Sequence, residues 1–143
     1  MNSATKLLVR LSDASKSGVY RVSDDQAIRE ALAAGKHDFA VIELDGEKEA
    51  LLEAIARSLE FPVWFGGNWD ALEDCLTDLS WRKGSDRVMM FLGAVQSQDL
   101  GILVDVLSSS AQFWREKRRV FFAVFVDPEN KLKLPGLYRA GTG

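Results

Sequence analysis

The sequence has few of the residues on which most catalytic and metal sites depend. Its 143 residues include one cysteine and one histidine, so it has neither an intramolecular disulfide nor a cluster of Cys and His zinc ligands. It also lacks a glycine-rich phosphate loop and a nucleophile elbow. A single free cysteine fits a reducing compartment. We therefore expect a protein that is not an enzyme and that carries no metal and no cofactor.

Long apolar runs and a strong charge of either sign are also missing. No run approaches the roughly 20 residues of a membrane span, and the N-terminal MNSATKLLVRLSD lacks the long apolar core of a signal peptide. A formal net charge of −3 disfavours nucleic acid or an anionic membrane as the main partner. Hydrophobic residues make up 47% of the chain, enough for a sizeable core. These features predict a cytoplasmic domain, monomeric when free.

Strand and helix patterns alternate along most of the chain. Short apolar runs at 39–44, 87–93 and 119–126 are typical of buried strands. Apolar residues at helical spacing cover the intervening segments, at 47–60, 68–80 and 97–117. Strands separated by helices favour a parallel sheet with helical crossovers. The sequence therefore predicts an α/β fold with a three-stranded parallel sheet packed by helices.

The two ends of the chain do not follow this pattern. KLLVRL (6–11) and GVYRV (18–22) flank a turn-rich segment and predict a strand hairpin, which a short helix follows. The predicted organisation has three parts: an N-terminal hairpin-plus-helix extension of the same domain (1–37), the main α/β domain (38–127), and a loose C-terminal tail (128–143).

The segment from Phe61 to Trp81 contains no lysine or arginine, although it carries three of the four tryptophans and four carboxylates. Asn68 suits the N-cap of a helix here. The apolar residues of that helix fall on one face, and Cys75 is among them, so we interpret it as a small buried hydrophobe. The opposite face carries the polar residues Asp70, Glu73, Asp74, Thr77 and Asp78.

This acidic row is unfavourable for the helix itself. Like charges four residues apart cost about 0.2–0.5 kcal/mol each, and a helix selected for stability alone would place a lysine among them. Trp64 and Phe65 lie just before it, beside the glycine pair Gly66 and Gly67. Aromatic side chains next to charges are typical of binding hot spots. The segment therefore indicates a surface that binds a basic partner.

Two other interpretations of the carboxylates are weaker. Asp70 and Asp74 could act as a general acid and base, but no other catalytic motif accompanies them. The four carboxylates could hold a hard cation, but one helix face rarely surrounds an ion that needs six or more oxygens, and the spacing is not that of an EF-hand.

The same segment resembles the signature of the barstar family, the intracellular inhibitors of barnase-type ribonucleases. That signature is an aromatic pair, Gly, one residue, Asn, an apolar residue, Asp-Ala-Leu, one residue and Asp-Cys-Leu. It matches residues 64–76, read as WFGGNWDALEDCL. The family also carries a glutamate after an aromatic-Arg pair near the end of its last helix, which Trp114-Arg115-Glu116 matches. The resemblance extends from about residue 39 to 127.

The resemblance implies both a fold and a mechanism. The fold is a three-stranded parallel sheet packed by helices, and the acidic helix with its preceding loop would plug the active site of a ribonuclease. Trp64 would stack in the enzyme, Asp70 and Asp74 would be the principal contacts, and Glu116 an outlying one. The family's archetype has Trp where Glu73 stands and Glu where Gly67 stands.

The complete expected partner-binding set is Trp64, Phe65, Gly66, Gly67, Asn68, Asp70, Glu73, Asp74, Thr77, Asp78 and Glu116. Carboxylates at helical spacing can imitate the phosphates that a ribonuclease binds, and an aromatic can imitate a stacked base. An alternative remains open, in which the acidic surface binds a toxin that is not a ribonuclease or another basic protein.

Overall fold

The computed structural model describes residues 3–35, 39–44, 47–62, 65–81, 87–93 and 97–137. Within these ranges the chain forms five α-helices and four β-strands. The helices are α1 (Ser3–Leu11), α2 (Gln26–Gly35), α3 (Lys48–Ser58), α4 (Trp69–Leu76) and α5 (Ser97–Glu116). The strands are β1 (Gly18–Val22), β2 (Phe39–Leu44), β3 (Arg87–Gly93) and β4 (Phe121–Val126).

All four strands belong to one parallel sheet with the order β1-β4-β3-β2. The α/β class and the parallel pairing of the three predicted strands are confirmed. The predicted number of strands is wrong, because the sheet has four. The additional strand is β1, which pairs with β4 in a register that aligns Gly18 with Phe122 and Val22 with Val126.

The predicted N-terminal hairpin is also wrong. Residues 3–11 form helix α1, and β1 pairs in parallel with β4 instead of folding back on its predecessor. Leu7 and Leu11 lie four residues apart and are both buried, which is the spacing of one helix face. Six residues are too few to separate this period from the alternation of a strand.

Helices cover both faces of the sheet. On one face α3, α4 and α5 enclose a core that includes Ile42, Phe91 and Phe121. On the other face α1 and α2 pack over Val88 and Phe122. Successive side chains of a strand point to opposite faces, and neighbours in β4 accordingly belong to different cores. This two-sided burial explains why the β4 sequence is apolar throughout.

The segment after β4 is held against the sheet, so the expectation of a loose tail is wrong for its described part. The amide of Arg21 donates to the carbonyl of Pro135 at 2.9 Å, and the amide of Leu137 donates to the carbonyl of Arg21 at 3.0 Å. Leu137 is fully buried among α1, α2 and the sheet. We call residues 131–137 the strap, because they run from the end of β4 to the outer edge of β1, where residues 135–137 pair with Arg21.

Asp127 anchors this strap. Its carboxylate pairs with the Arg21 guanidinium at 3.1 Å and accepts the amides of Lys131 at 3.1 Å and Leu132 at 2.9 Å. Burial is the largest influence on this carboxyl and would raise its pKa. The two amides and Arg21 outweigh it, so the pKa lies below its ordinary value of 3.8. Asp127 is therefore ionised in the folded protein at neutral pH.

Candidate acidic protein-binding face

Helix α4 begins at a well-defined cap. Asn68 has extended backbone angles, and its side-chain oxygen accepts the Ala71 amide at 2.7 Å. Gly67 comes just before it with a φ of +70°, in the left-handed region that favours glycine. Gly66, Gly67 and Asn68 are all exposed. The loop therefore turns sharply into α4 and leaves its backbone open to a partner.

The carboxylates of α4 have no ionic or hydrogen-bonding partner among the described residues. Asp70 and Asp74 are exposed, one helical turn apart, and Glu73 is half-buried. Among the residues that the structure describes, no ion pair or side-chain hydrogen bond involves any of these three carboxylates. Asp70 lies in the first turn, where the helix dipole favours a negative charge. The dipole offers little to Asp74, so its charge is uncompensated within the described chain.

The helix is shorter than predicted, which removes Asp78 from the acidic row. Helix α4 ends at Leu76, and the hydroxyl of the capping Thr77 donates to the Glu73 carbonyl at 2.9 Å. The buried Leu79 adopts a φ of +53° and redirects the chain. Asp78 is exposed beyond the helix, and its carboxylate accepts the Ser80 amide at 3.3 Å. Only Asp70, Glu73 and Asp74 are helical.

The structure describes one of the two aromatic residues in the preceding loop. Trp64 lies outside the described residues. Phe65 is half-buried with its ring edge-on to Phe61 at 5.0 Å, and Phe61 in turn lies edge-on to Trp81 at 5.8 Å. Phe65 thus contributes to a cluster at the margin of the core. This intramolecular packing limits how much of its ring a partner can reach.

A lysine from another element lies at the margin of the acidic face. The Nζ of Lys48, the first residue of α3, is 5.9 Å from the centroid of the Trp69 ring, within the range of a cation–π contact. Trp69 is half-buried and one helical turn before Glu73. The segment from Phe61 to Trp81 contains no lysine or arginine, but the fold brings the Lys48 ammonium close to it. No local pattern in the sequence indicates this approach of α3 to α4.

Trp114, Arg115 and Glu116 end α5 and have different roles. Trp114 is buried, and its indole N–H donates to the carbonyl of Leu76 at 2.8 Å, which ties the ends of α5 and α4 together. Arg115 donates to the carbonyl of Ser17 at 2.9 Å. Glu116 is exposed, and its carboxylate accepts a hydrogen bond from the Gln112 side chain at 3.4 Å. Within the described ranges, no contact joins Glu116 to the carboxylates of α4.

Cys75 lies on the buried side of α4. Burial, followed by the nearby charges of Asp74 and Asp78, raises the pKa of its thiol to about 11. The thiol is therefore protonated at neutral pH and unsuited to nucleophilic chemistry. In the part of the chain that the structure describes, no three His, Cys, Asp or Glu side chains are grouped closely enough to hold a metal ion. No helix there is long and apolar enough to cross a membrane.

The site therefore combines exposed carboxylates, an open glycine loop and a half-buried aromatic margin. Such an arrangement can bind a cationic surface, because the free carboxylates gain hydrogen bonds and charge partners on contact. The core holds α4 in place beneath this surface, since Leu72, Cys75 and Leu76 are all buried.

Comparison with known families places this face within a matched region. A family model described as Barstar (barnase inhibitor) matches residues 39–126, more than half of the chain. The match spans β2 to β4 and includes α4 and Glu116. It does not include α1, β1, α2 or the strap. A search of curated proteins found no match.

Proposed function

The chain belongs to the barstar family, and we propose that it inhibits a barnase-type ribonuclease by inserting the acidic face of α4 into the enzyme's basic active site. The family is described as barnase inhibitors. The observation that carries the proposal is the exposed pair Asp70 and Asp74, which has no ionic partner among the described residues. In the complex, cations of the ribonuclease would pair with these two carboxylates.

A ribonuclease is a suitable partner on chemical grounds. Its active site binds a polyanion and therefore presents cations, which Asp70 and Asp74 can engage through charge-assisted hydrogen bonds. Opposite charges also accelerate encounter, and the pair formed by barnase and barstar is itself a known example of this effect. Gly66, Gly67 and Asn68 would line the entry to the contact, Trp64 would stack in the enzyme as the family resemblance implies, and Glu73 would lie in the middle of the interface. The remaining residues of the expected set, Phe65, Thr77, Asp78 and Glu116, would lie at its margins.

The proposed role is that of an antitoxin or immunity protein in the cytoplasm. A cell that makes such a nuclease needs fast capture of any molecule that folds inside it. Charge complementarity supplies speed, while the buried, protonated Cys75 is compatible with a reducing compartment. The alternative target, a basic toxin that is not a ribonuclease, would use the same face, and Glu73 in place of an aromatic favours it.

The test is titration of the full chain into barnase while RNA cleavage is followed. We expect stoichiometric inhibition by the wild type and its loss in the double variant Asp70→Asn, Asp74→Asn, which removes two charges at constant shape. Glu30→Gln on α2 is the control, because this exposed carboxylate lies on the opposite layer of the molecule. Undiminished cleavage of RNA in the presence of excess wild type would contradict the proposal.

A further inference from the structure

A cluster of positively charged side chains lies at the amino-terminal end of the sheet, outside the acidic face. We call this cluster the basic rim, defined by Lys16, Arg115, Lys117, Arg118 and Arg119, all exposed. Ser17 joins its two parts, since its hydroxyl donates to the Arg119 carbonyl at 3.2 Å and accepts the Phe121 amide at 3.0 Å. The rim is therefore a defined surface built from the N-terminal segment and the end of α5.

The cations of the rim form no salt bridge with a carboxylate of the described residues. No ion pair there involves any of the five side chains. Arg115 donates to the Ser17 carbonyl, and the Lys117 ammonium lies 5.0 Å from the centroid of the Phe113 ring. The side chains of Arg118 and Arg119 make no hydrogen bond within the described residues. Two acids lie beside these cations. Glu116 accepts a hydrogen bond from Gln112. Asp13 is close enough to Lys16 for the lysine charge to contribute, after hydrogen bonds from Ser15, to lowering its pKa.

Arg118 occupies a position where stability favours another residue. The amide of Arg118 donates to the Arg115 carbonyl and that of Arg119 to the Trp114 carbonyl, both at 2.9 Å. These two bonds form a Schellman motif at the end of α5. Arg118 adopts a φ of +59°, a conformation that glycine adopts freely and that is unfavourable for a residue with a Cβ. A positively charged side chain therefore occupies a position whose backbone conformation favours glycine.

Trp114 links the basic rim to the C-terminal end of α4. Its indole N–H donates to the Leu76 carbonyl at the end of α4, and its own carbonyl accepts the amides of Lys117 and Arg119. One residue therefore joins the end of α4 to the turn that carries Lys117, Arg118 and Arg119. A protein that covers α4 and extends past its C-terminal end would approach this turn.

From this juxtaposition we infer that the basic rim binds a carboxylate-lined patch on the same ribonuclease whose basic cleft receives α4. The inference rests on the proposed function. An RNA strand is a poorer occupant, because the carboxylates of α4 beside the rim repel a polyanion. Adjacent surfaces of opposite sign fix the orientation of the bound enzyme and exclude basic proteins that lack the acidic patch.

The test uses Arg118→Gly in the full chain, because glycine keeps the turn and removes the charge. Association with barnase is followed by stopped flow at low and high salt, beside thermal unfolding of each variant. We expect the association rate constant at low salt to fall about threefold, as for loss of one steering charge, and the difference to vanish at high salt. The melting temperature should be equal to the wild type or higher.

Lys133→Ala is the matched control. Lys133 is an exposed cation of the strap, at the opposite end of the sheet from the rim, and its removal should leave association unchanged. If the wild type binds barnase while Arg118→Gly leaves association unchanged or accelerates it, the rim ignores or repels the enzyme. The inference is then overturned and the proposed function stands. If the wild type does not bind barnase, the proposed function fails and the inference fails with it.

Discussion

Asp74 is an exposed carboxylate in the middle of α4 whose charge has no compensating partner within the described residues. Asp70 lies one turn before it, so the two charges repel each other along the helix. A residue with this environment contributes nothing favourable to folding through its charge. If Asp74 binds the partner as proposed, stability and binding should respond differently to its removal.

We expect Asp74→Ala to weaken binding to barnase by more than about 2 kcal/mol, the threshold of a hot spot. Most of the loss should appear in the dissociation rate, because a cation of the enzyme would remain buried and unpaired. The free energy of unfolding should stay the same or rise by about 0.2–0.5 kcal/mol as the repulsion is relieved. Calorimetric titration and urea unfolding measure the two quantities. Lower stability with unchanged binding would assign Asp74 to the scaffold.

At the scale of elements, the strap depends on one carboxylate. Asp127 joins Arg21 of β1 to the amides of Lys131 and Leu132. The pKa of this carboxyl is lower in the folded protein than its ordinary value of 3.8. Its contribution to stability is therefore complete above pH 3.8 and is lost as the pH falls through the folded pKa.

We expect Asp127→Asn to lower the free energy of unfolding at pH 7 by about 1–3 kcal/mol, the cost of leaving buried hydrogen-bonding groups poorly paired. The difference between the unfolding free energies of the variant and the wild type should shrink below pH 3.8, because the wild-type carboxyl is then increasingly protonated and, like the Asn side chain, uncharged. Urea unfolding at several pH values measures this convergence. The exposed pair of Glu53 and Arg57 on α3 provides the control, because Glu53→Gln should have little effect at any pH.

The elements also show what local patterns can and cannot predict. The bounds of β2 and β3 follow directly from their apolar runs, and those of β1 follow from its alternating pattern. The shared face of the acidic residues of α4 follows from helical spacing. The partner of β1 could not be predicted, because it is β4, about a hundred residues later. The basic rim was missed for a similar reason: the run at 115–119 is plain in the sequence, but its approach to the end of α4 comes from the packing of α5 on α4, which includes the bond between Trp114 and Leu76.

At the scale of the whole molecule, the family match covers only one of the two helical layers that pack on the sheet. Residues 39–126 contain the strands β2 to β4 and the helices of one face. The other face of the sheet is covered by α1 and α2, which bury Val88, Met90, Phe122 and Val124. The N-terminal segment is therefore an integral layer in packing terms, which supports its predicted place in the same domain.

We expect a chain that begins at Phe39 to lose cooperative unfolding and to associate, because it exposes an apolar sheet face and the edge of β4. Thermal unfolding and light scattering measure these properties. A chain that is cut between Gly35 and Phe39 but retains both pieces provides the control, and it should remain assembled. A monomeric truncated chain with a sharp transition would show that residues 1–38 are a separate unit.

The pairing of β1 with β4 also concerns the timing of synthesis. Arg21 and Asp127 are 106 positions apart, so β1 has no neighbour in the sheet until about a hundred further residues have been made. The strap adds a further delay, since Leu137 fills the core beside α1. Sheets built from such distant pairings fold slowly. If the proposed function holds, synthesis of this protein must run ahead of the nuclease, because the inhibitor is folded only after residue 137 has been added.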